Sequence, residues 1–197
     1  MEKKFKILIP ILVILILGIA SYFYLPKFFQ KAEKKDYQTY LEEGLHWKSL
    51  GDQTGNSEYY LKAEKIYREM TKKFPNYWVP WWNLGNLERI LKKFEEAEKS
   101  FKKAIEIAPG EGMLYLGLIE LYQYNLKKSE EEILAIYQEA LKRVVENIDV
   151  IISYASYLYQ IDKKEEALKY YQTAFEKYPE ATQIKEEIEK IKGELKK

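Results

Sequence analysis

A single histidine, His46, stands beside Trp47 in a chain that contains no cysteine. A lone imidazole works as a base only with an orienting group and a nucleophile or water beside it. No residue pattern around His46 supplies them, so its expected role is packing or surface. Without cysteine there is no disulfide, thiol nucleophile, Cys-ligated zinc or acylated lipoprotein anchor. The remaining candidates for chemistry are the carboxylate runs Glu95-Glu96, Glu130 to Glu132, Glu165-Glu166 and Glu186-Glu187. Such pairs can hold a metal or share acid/base work. Each also falls near an expected helix N-terminus, where the helix dipole favours negative charge, and that accounts for them without chemistry. No glycine-rich phosphate loop follows a strand, and Gly110 and Gly112 flank Glu111 as a turn signal only. The expectation is a chain that is not an enzyme, with no catalytic residues, cofactor, metal or small-molecule substrate.

Charge is distributed unevenly. Of 32 basic and 31 acidic residues, the first 35 positions hold seven Lys against Glu2 and Glu33, which leaves 25 basic residues against 29 acidic ones in the remainder. That mildly acidic remainder, with Arg only at 68, 89 and 143, lacks the basic stripe that phosphate binding requires, so nucleic acid is not an expected partner.

The segment Ile7 to Leu25 runs 19 residues without a charge. As a helix it would reach about 28 Å, close to a bilayer's hydrocarbon core. Pro10 falls in the first turn, Pro26 with Lys27 closes the far end, and Tyr22, Phe23 and Tyr24 fit an interfacial aromatic belt. Residues 1–35 therefore read as a signal-anchor helix with a basic juxtamembrane linker. The alternative is a cleaved secretory signal, its apolar region ending near Gly18 with a cut after Ala20. The Lys residues nearly balance across the segment, and the short basic N-tail places residues 36–197 outside the cytoplasm.

The elements beyond residue 36 repeat. Trp81, Leu84, Gly85, Ala97, Phe101, Ala104 and Pro109 return 70 positions later as Ile151, Tyr154, Ala155, Ala167, Tyr171, Ala174 and Pro179. Between them, Met113, Leu116 and Gly117 precede Ile133, Tyr137 and Ala140, with the two halves four residues further apart than in the neighbouring units. Upstream, Tyr40 and Gly44 precede Ala63, Tyr67, Met70 and Pro75, with about seven extra residues around Gly51 to Tyr59. Small residues at 44, 85, 117 and 155, and Ala at 63, 97 and 167, let antiparallel helices approach closely. Tyr67, Phe101, Tyr137 and Tyr171 fill the gap to the next unit, and Pro75, Pro109 and Pro179 stop the second helices. Ser129 with Glu132 forms a capping box, and Asp162 with Glu165 occupies the corresponding turn one unit on. Ile184, Ile188, Ile191 and Leu195 mark a closing helix over 182–196.

At these residues the chain resembles the tetratricopeptide repeat family, from Tyr37 to Ala181. Departures are Ile133 and Met70 where the family uses Ala, and Val145 where it uses Pro. The resemblance implies an all-α, right-handed superhelical solenoid of four helix-turn-helix repeats (about 37–77, 78–111, 112–147 and 148–181). A capping helix follows, and one N-terminal transmembrane helix precedes, which makes nine helices after the anchor.

The resemblance also implies that the first helices line a groove for a partner peptide or helix. Helical spacing nominates Leu41, Leu45 and Lys48 in the first unit, and Trp82, Asn83, Asn86 and Arg89 in the second. Tyr115, Leu118 and Tyr122 follow in the third, and Ser153, Ser156 and Tyr159 in the fourth. Trp82 and Tyr115 could equally pack between units. The Lys, Asn and Arg clamp by which some relatives hold a C-terminal carboxylate is missing: Leu41, Leu45, Glu111 and Tyr115 stand at its positions, and only Asn83 fits. The expected function is a membrane-anchored protein-interaction scaffold or adaptor in an envelope assembly. The alternative is an extracytoplasmic holdase-like chaperone that binds unfolded segments.

Overall fold

The computed structural model describes residues 36–144 and 147–196. The apolar stretch from Ile7 to Leu25 and the departure at Val145 lie outside the described residues. Among the described residues no helix is long and apolar enough to cross a membrane, and all regular structure is helical. The chain divides into residues 1–39 and a compact unit of residues 40–197. In the first of these, the Thr39 N–H donates to Asp36 Oδ1 at 2.7 Å.

Among the described residues nine α-helices follow in chain order: α1 (Tyr37–Thr54), α2 (Ser57–Lys73), α3 (Trp78–Ile90), α4 (Phe94–Ile107), α5 (Gly112–Glu120), α6 (Glu130–Arg143), α7 (Ile148–Gln160), α8 (Lys164–Lys177) and α9 (Thr182–Leu195). A π-helical turn, Leu121–Leu126, continues α5. From α2 onward each helix packs on the next in sequence, which makes the described chain a solenoid of helical hairpins.

The punctuation follows from residue type. The residues before Pro75, Pro109 and Pro179 share one non-helical geometry: Phe74 at φ −127 ψ 58, Ala108 at −133, 70 and Tyr178 at −134, 67. A proline's ring excludes helical geometry at the preceding residue, so α2, α4 and α8 end there. Ser129 and Glu132 form the expected reciprocal capping box on α6. Asp162 does not cap α8. It is the left-handed residue (φ 60) of the turn after α7, matched by Lys92 (φ 59) after α3. Both turns are Schellman motifs: Lys93 N–H reaches Glu88 O at 2.7 Å and Lys163 N–H reaches Leu158 O at 2.9 Å. Glu95, Glu130 and Glu165 occupy first helical turns as expected. Glu186 and Glu187 sit deeper inside α9, past its first turn.

Close approach explains the glycines. A Cβ on Gly85 would stand 2.8 Å from the Phe101 ring, and one on Gly44 would stand 2.7 Å from Tyr67. Gly51 faces Tyr60 in the same way, at 2.6 Å. Gly51 lies seven residues beyond Gly44, and Tyr60 seven before Tyr67. The seven-residue insertion therefore lengthens both helices of the first hairpin and repeats the glycine–ring contact.

The third unit corrects the sequence register. Gly117 does not hold the place of Gly85: its absent Cβ would lie 2.4 Å from the Trp82 ring of the preceding unit. The counterpart of Trp81 is Tyr115, 34 positions on. Trp81 Nε1 donates to Pro75 O at 3.2 Å, and the Tyr115 hydroxyl donates to Pro109 O at 3.1 Å. Leu118, Ile119 and Tyr122 then match Leu84, Gly85 and Glu88, and all three are buried. On this register the third unit carries two extra residues before Ile133, not four, and the π-helical turn absorbs them. Lys127 ends it in left-handed geometry (φ 49), and Lys128 N–H reaches Tyr122 O at 3.0 Å.

One core runs from Ala97 in α4 to Ile191 in α9. Ile184, Ile188 and Ile191 of α9 are buried against it, and this helix covers the apolar face the fourth hairpin would otherwise expose.

Candidate functional site

The corrected register fixes which side chains share the first-helix face. In α3, Trp82, Asn83, Asn86 and Arg89 are half-buried, and in α7 the residues 70 positions on, Ile152, Ser153, Ser156 and Tyr159, are half-buried too. The matching places in the third unit are Leu116, Gly117, Glu120 and Gln123. Tyr115, Leu118 and Tyr122 are therefore core residues. They are 0%, 1% and 4% exposed, and Tyr122 uses its hydroxyl on Glu98 at 2.8 Å. Equating Gly117 with Gly85 by sequence shifts the helix face by two residues, or about 200°, and so turns these three toward the groove instead of the core.

The other nominated residues divide into packing and surface roles. Trp82 lies between units, its ring 5.2 Å from Phe101 and over Gly117. Asn83 and Asn86 donate to Val79 O and Trp82 O, each at 3.0 Å, so these amides are held along their own helix. Arg89 pairs with Glu120 of the third unit at 3.1 Å. Lys48 pairs with Asp52 at 2.6 Å, Leu41 is half-buried, and Leu45 is exposed. Tyr159 is tied to α9: its hydroxyl donates to Glu194 at 2.8 Å and its ring lies under Lys190.

Ser153 and Ser156 line a depression of about 320 Å³ between the end of the third unit's first helix and α7. Its other walls are residues that sequence reasoning missed. Gln123 and Tyr124 come from the π-helical turn, Asp149 and Gln160 from the two ends of α7, and Tyr137 from α6. The two-residue insertion delivers Tyr124 there, 66% exposed. The Tyr137 ring stacks on Tyr157 at 5.5 Å, and its hydroxyl meets Ser153 Oγ at 2.8 Å. Burial pushes the Tyr137 hydroxyl up to about 12, so it stays protonated at neutral pH. The signal that could have found this site was the 34-residue step from Trp81 to Tyr115.

A larger depression, about 480 Å³, lies among α4, α5 and α6 with Tyr115 and Leu118 at its base. Its equivalent one unit earlier, about 410 Å³, has Trp81 and Leu84 at its base. A crevice that recurs with the repeat at core positions reflects helix stacking. The site between the end of the third unit's first helix and α7 instead takes Gln123 and Tyr124 from the π-helical turn that the insertion creates.

Two other side-chain sets are structural. His46 is exposed, with its ring edge-on to Trp47 at 5.3 Å. Glu64 and Glu88 are buried between the first and second units and share Arg68, at 2.8 and 2.7 Å. Lys93 also reaches Glu64 at 2.7 Å, and Ser100 donates to Glu88 at 2.6 Å. Burial opposes charge on Glu64, but hydrogen bonds from Lys93 and Arg68 outweigh it and hold its pKa below the ordinary value. For Glu88 burial wins, and its pKa rises despite Ser100 and Arg68.

This fold is that of a tetratricopeptide-repeat-like solenoid. Residues 81–111 match the tetratricopeptide repeat family. The chain is similar to Superkiller complex protein 3 of Homo sapiens, 29% identical over 103 residues, or 52% of this chain and 6% of that protein's length. Among solved structures it resembles MamA, with a TM-score of 0.61 at 16% identity over 80% of this chain and 86% of that one. It also resembles YrrB, described as a TPR protein with an unusual peptide-binding site, with a TM-score of 0.50 at 22% identity over 62% of each chain. The repeat match covers residues 81–111, and the likenesses to solved structures show the fold.

Proposed function

We propose that the chain is a protein-interaction scaffold that holds a polypeptide partner on its first-helix face, centred on the depression between α5 and α7. The observation that carries this reading is the placement of an exposed tyrosine and polar side chains around one inter-unit depression on that face. Aromatic side chains with nearby hydrogen-bonding groups are the usual source of binding energy in a protein interface. That YrrB is described as having a peptide-binding site on the same kind of fold supports it by analogy. The uncharged stretch from Ile7 to Leu25 supports a further part of the proposal: a membrane tether that presents the repeats outside the cytoplasm, in an envelope assembly.

Co-purification of the full chain from its native membrane tests the scaffold. The wild type retains one dominant polypeptide at fixed stoichiometry, and Tyr124→Ala with Ser156→Arg loses it while thermal unfolding is unchanged. Retention by the double variant would place binding elsewhere. Many polypeptides at low occupancy would favour the holdase.

A further inference from the structure

The depression between α5 and α7 has a charge signature that narrows its occupant. On the first-helix face, Lys48 is neutralised by Asp52 and Arg89 by Glu120. Asp149, exposed in the first turn of α7, stands in no ion pair among the described residues and lines the depression. A carboxylate at a helix N-terminus is by itself only a response to the helix dipole. Here it shares a wall with tyrosine rings. Tyr124 is largely exposed, while Tyr137 and Tyr157 are stacked and buried behind it. Ring faces attract cations, and serine hydroxyl and glutamine carbonyl oxygens accept N–H donors. Ser153, Ser156 and Gln123 bring such acceptors into the same space.

We infer that this depression takes a lysine or arginine side chain of the bound polypeptide, its cationic head against the Tyr124 ring and its charge answered by Asp149. The inference rests on the scaffold reading above and adds the chemistry of the anchor residue. An anionic anchor is disfavoured, because it would meet an unpaired carboxylate with no cation beside it. A purely apolar anchor would strip water from the Asp149 carboxylate and return no charge to it.

The test uses the full chain in nonionic detergent, with isoleucine methyl groups labelled with carbon-13 and the Ile152 methyl as reporter. The probes are N-acetyl-arginine methylamide and its glutamine and glutamate counterparts. The arginine probe should shift the Ile152 methyl saturably, while the glutamine probe needs a concentration at least about fivefold higher for the same shift. Asp149→Asn and Tyr124→Ala should each weaken the arginine probe by about threefold or more, while Glu58→Gln, an exposed carboxylate on α2 away from the depression, leaves its binding unchanged. Equal response to the glutamine probe, preference for the glutamate probe, no response to any probe, or indifference to Asp149→Asn would each overturn the inference. Partner retention in the co-purification would then leave the scaffold standing with a different anchor, whereas its loss of specificity would end the scaffold reading independently.

Discussion

Gly85 and Gly193 are both helical glycines, and their surroundings predict opposite outcomes. A side chain at Gly85 meets the Phe101 ring at once, whereas nothing lies within 4 Å of a Cβ at Gly193. Gly85→Leu should cost about 3 kcal/mol in urea unfolding, and Gly193→Ala should gain about 0.5 kcal/mol. Tyr115→Ala should cost roughly 3 to 5 kcal/mol as a core truncation, whereas Tyr124→Ala should stay within about 0.5 kcal/mol. The Glu64 cluster predicts a pH response of definite sign. Its pKa is depressed in the folded state, so the stability it contributes is present above its ordinary value of 4.5 and lost as pH falls through the folded value. Glu88, whose pKa is raised, has the opposite sign: its ionisation subtracts stability as pH rises through the folded value. Denaturant midpoints measured from pH 3 to 7 should therefore fall less steeply on acidification in Glu64→Gln than in the wild type.

At the level of elements, the hairpin pattern was legible because it rests on local rules. Prolines stop the second helices, a capping box starts α6, and apolar spacing marks α9. The register of the third unit was misread because a small residue answers to whatever lies against it. Gly117 is small because Trp82 of the preceding unit covers it, a contact that no in-register comparison with Gly85 contains. The π-helical turn was illegible for a related reason. Two extra residues can lengthen a loop or widen a helix, and tertiary packing decides which. The turns make their own prediction. A non-glycine left-handed residue is disfavoured, so Lys92→Gly should stabilise the domain by roughly 0.5 to 1 kcal/mol in thermal or urea unfolding. Of the nominated groove residues, Ser153 and Ser156 fall in the depression because α7 keeps α3's register. Those from α5 went to the core.

At the scale of the whole molecule, hairpins that cannot cover their apolar faces alone form a stack, and one core runs continuously through it from α4 to α9, which closes it. The stack leaves its first-helix face open, and the third unit's insertion gives that face its most distinctive feature. Tethering makes a separate prediction: after an alkaline carbonate wash the full chain should remain with the membrane pellet, and deletion of Ile7 to Leu25 should release it. The most direct measurement of the binding claim places a photo-crosslinking amino acid at Tyr124, and in a second variant at exposed Lys169 on α8, in the full chain in its native membrane. The account predicts one dominant crosslinked polypeptide from position 124 and none from position 169. Equal yields from both, or capture from position 169 alone, would contradict it.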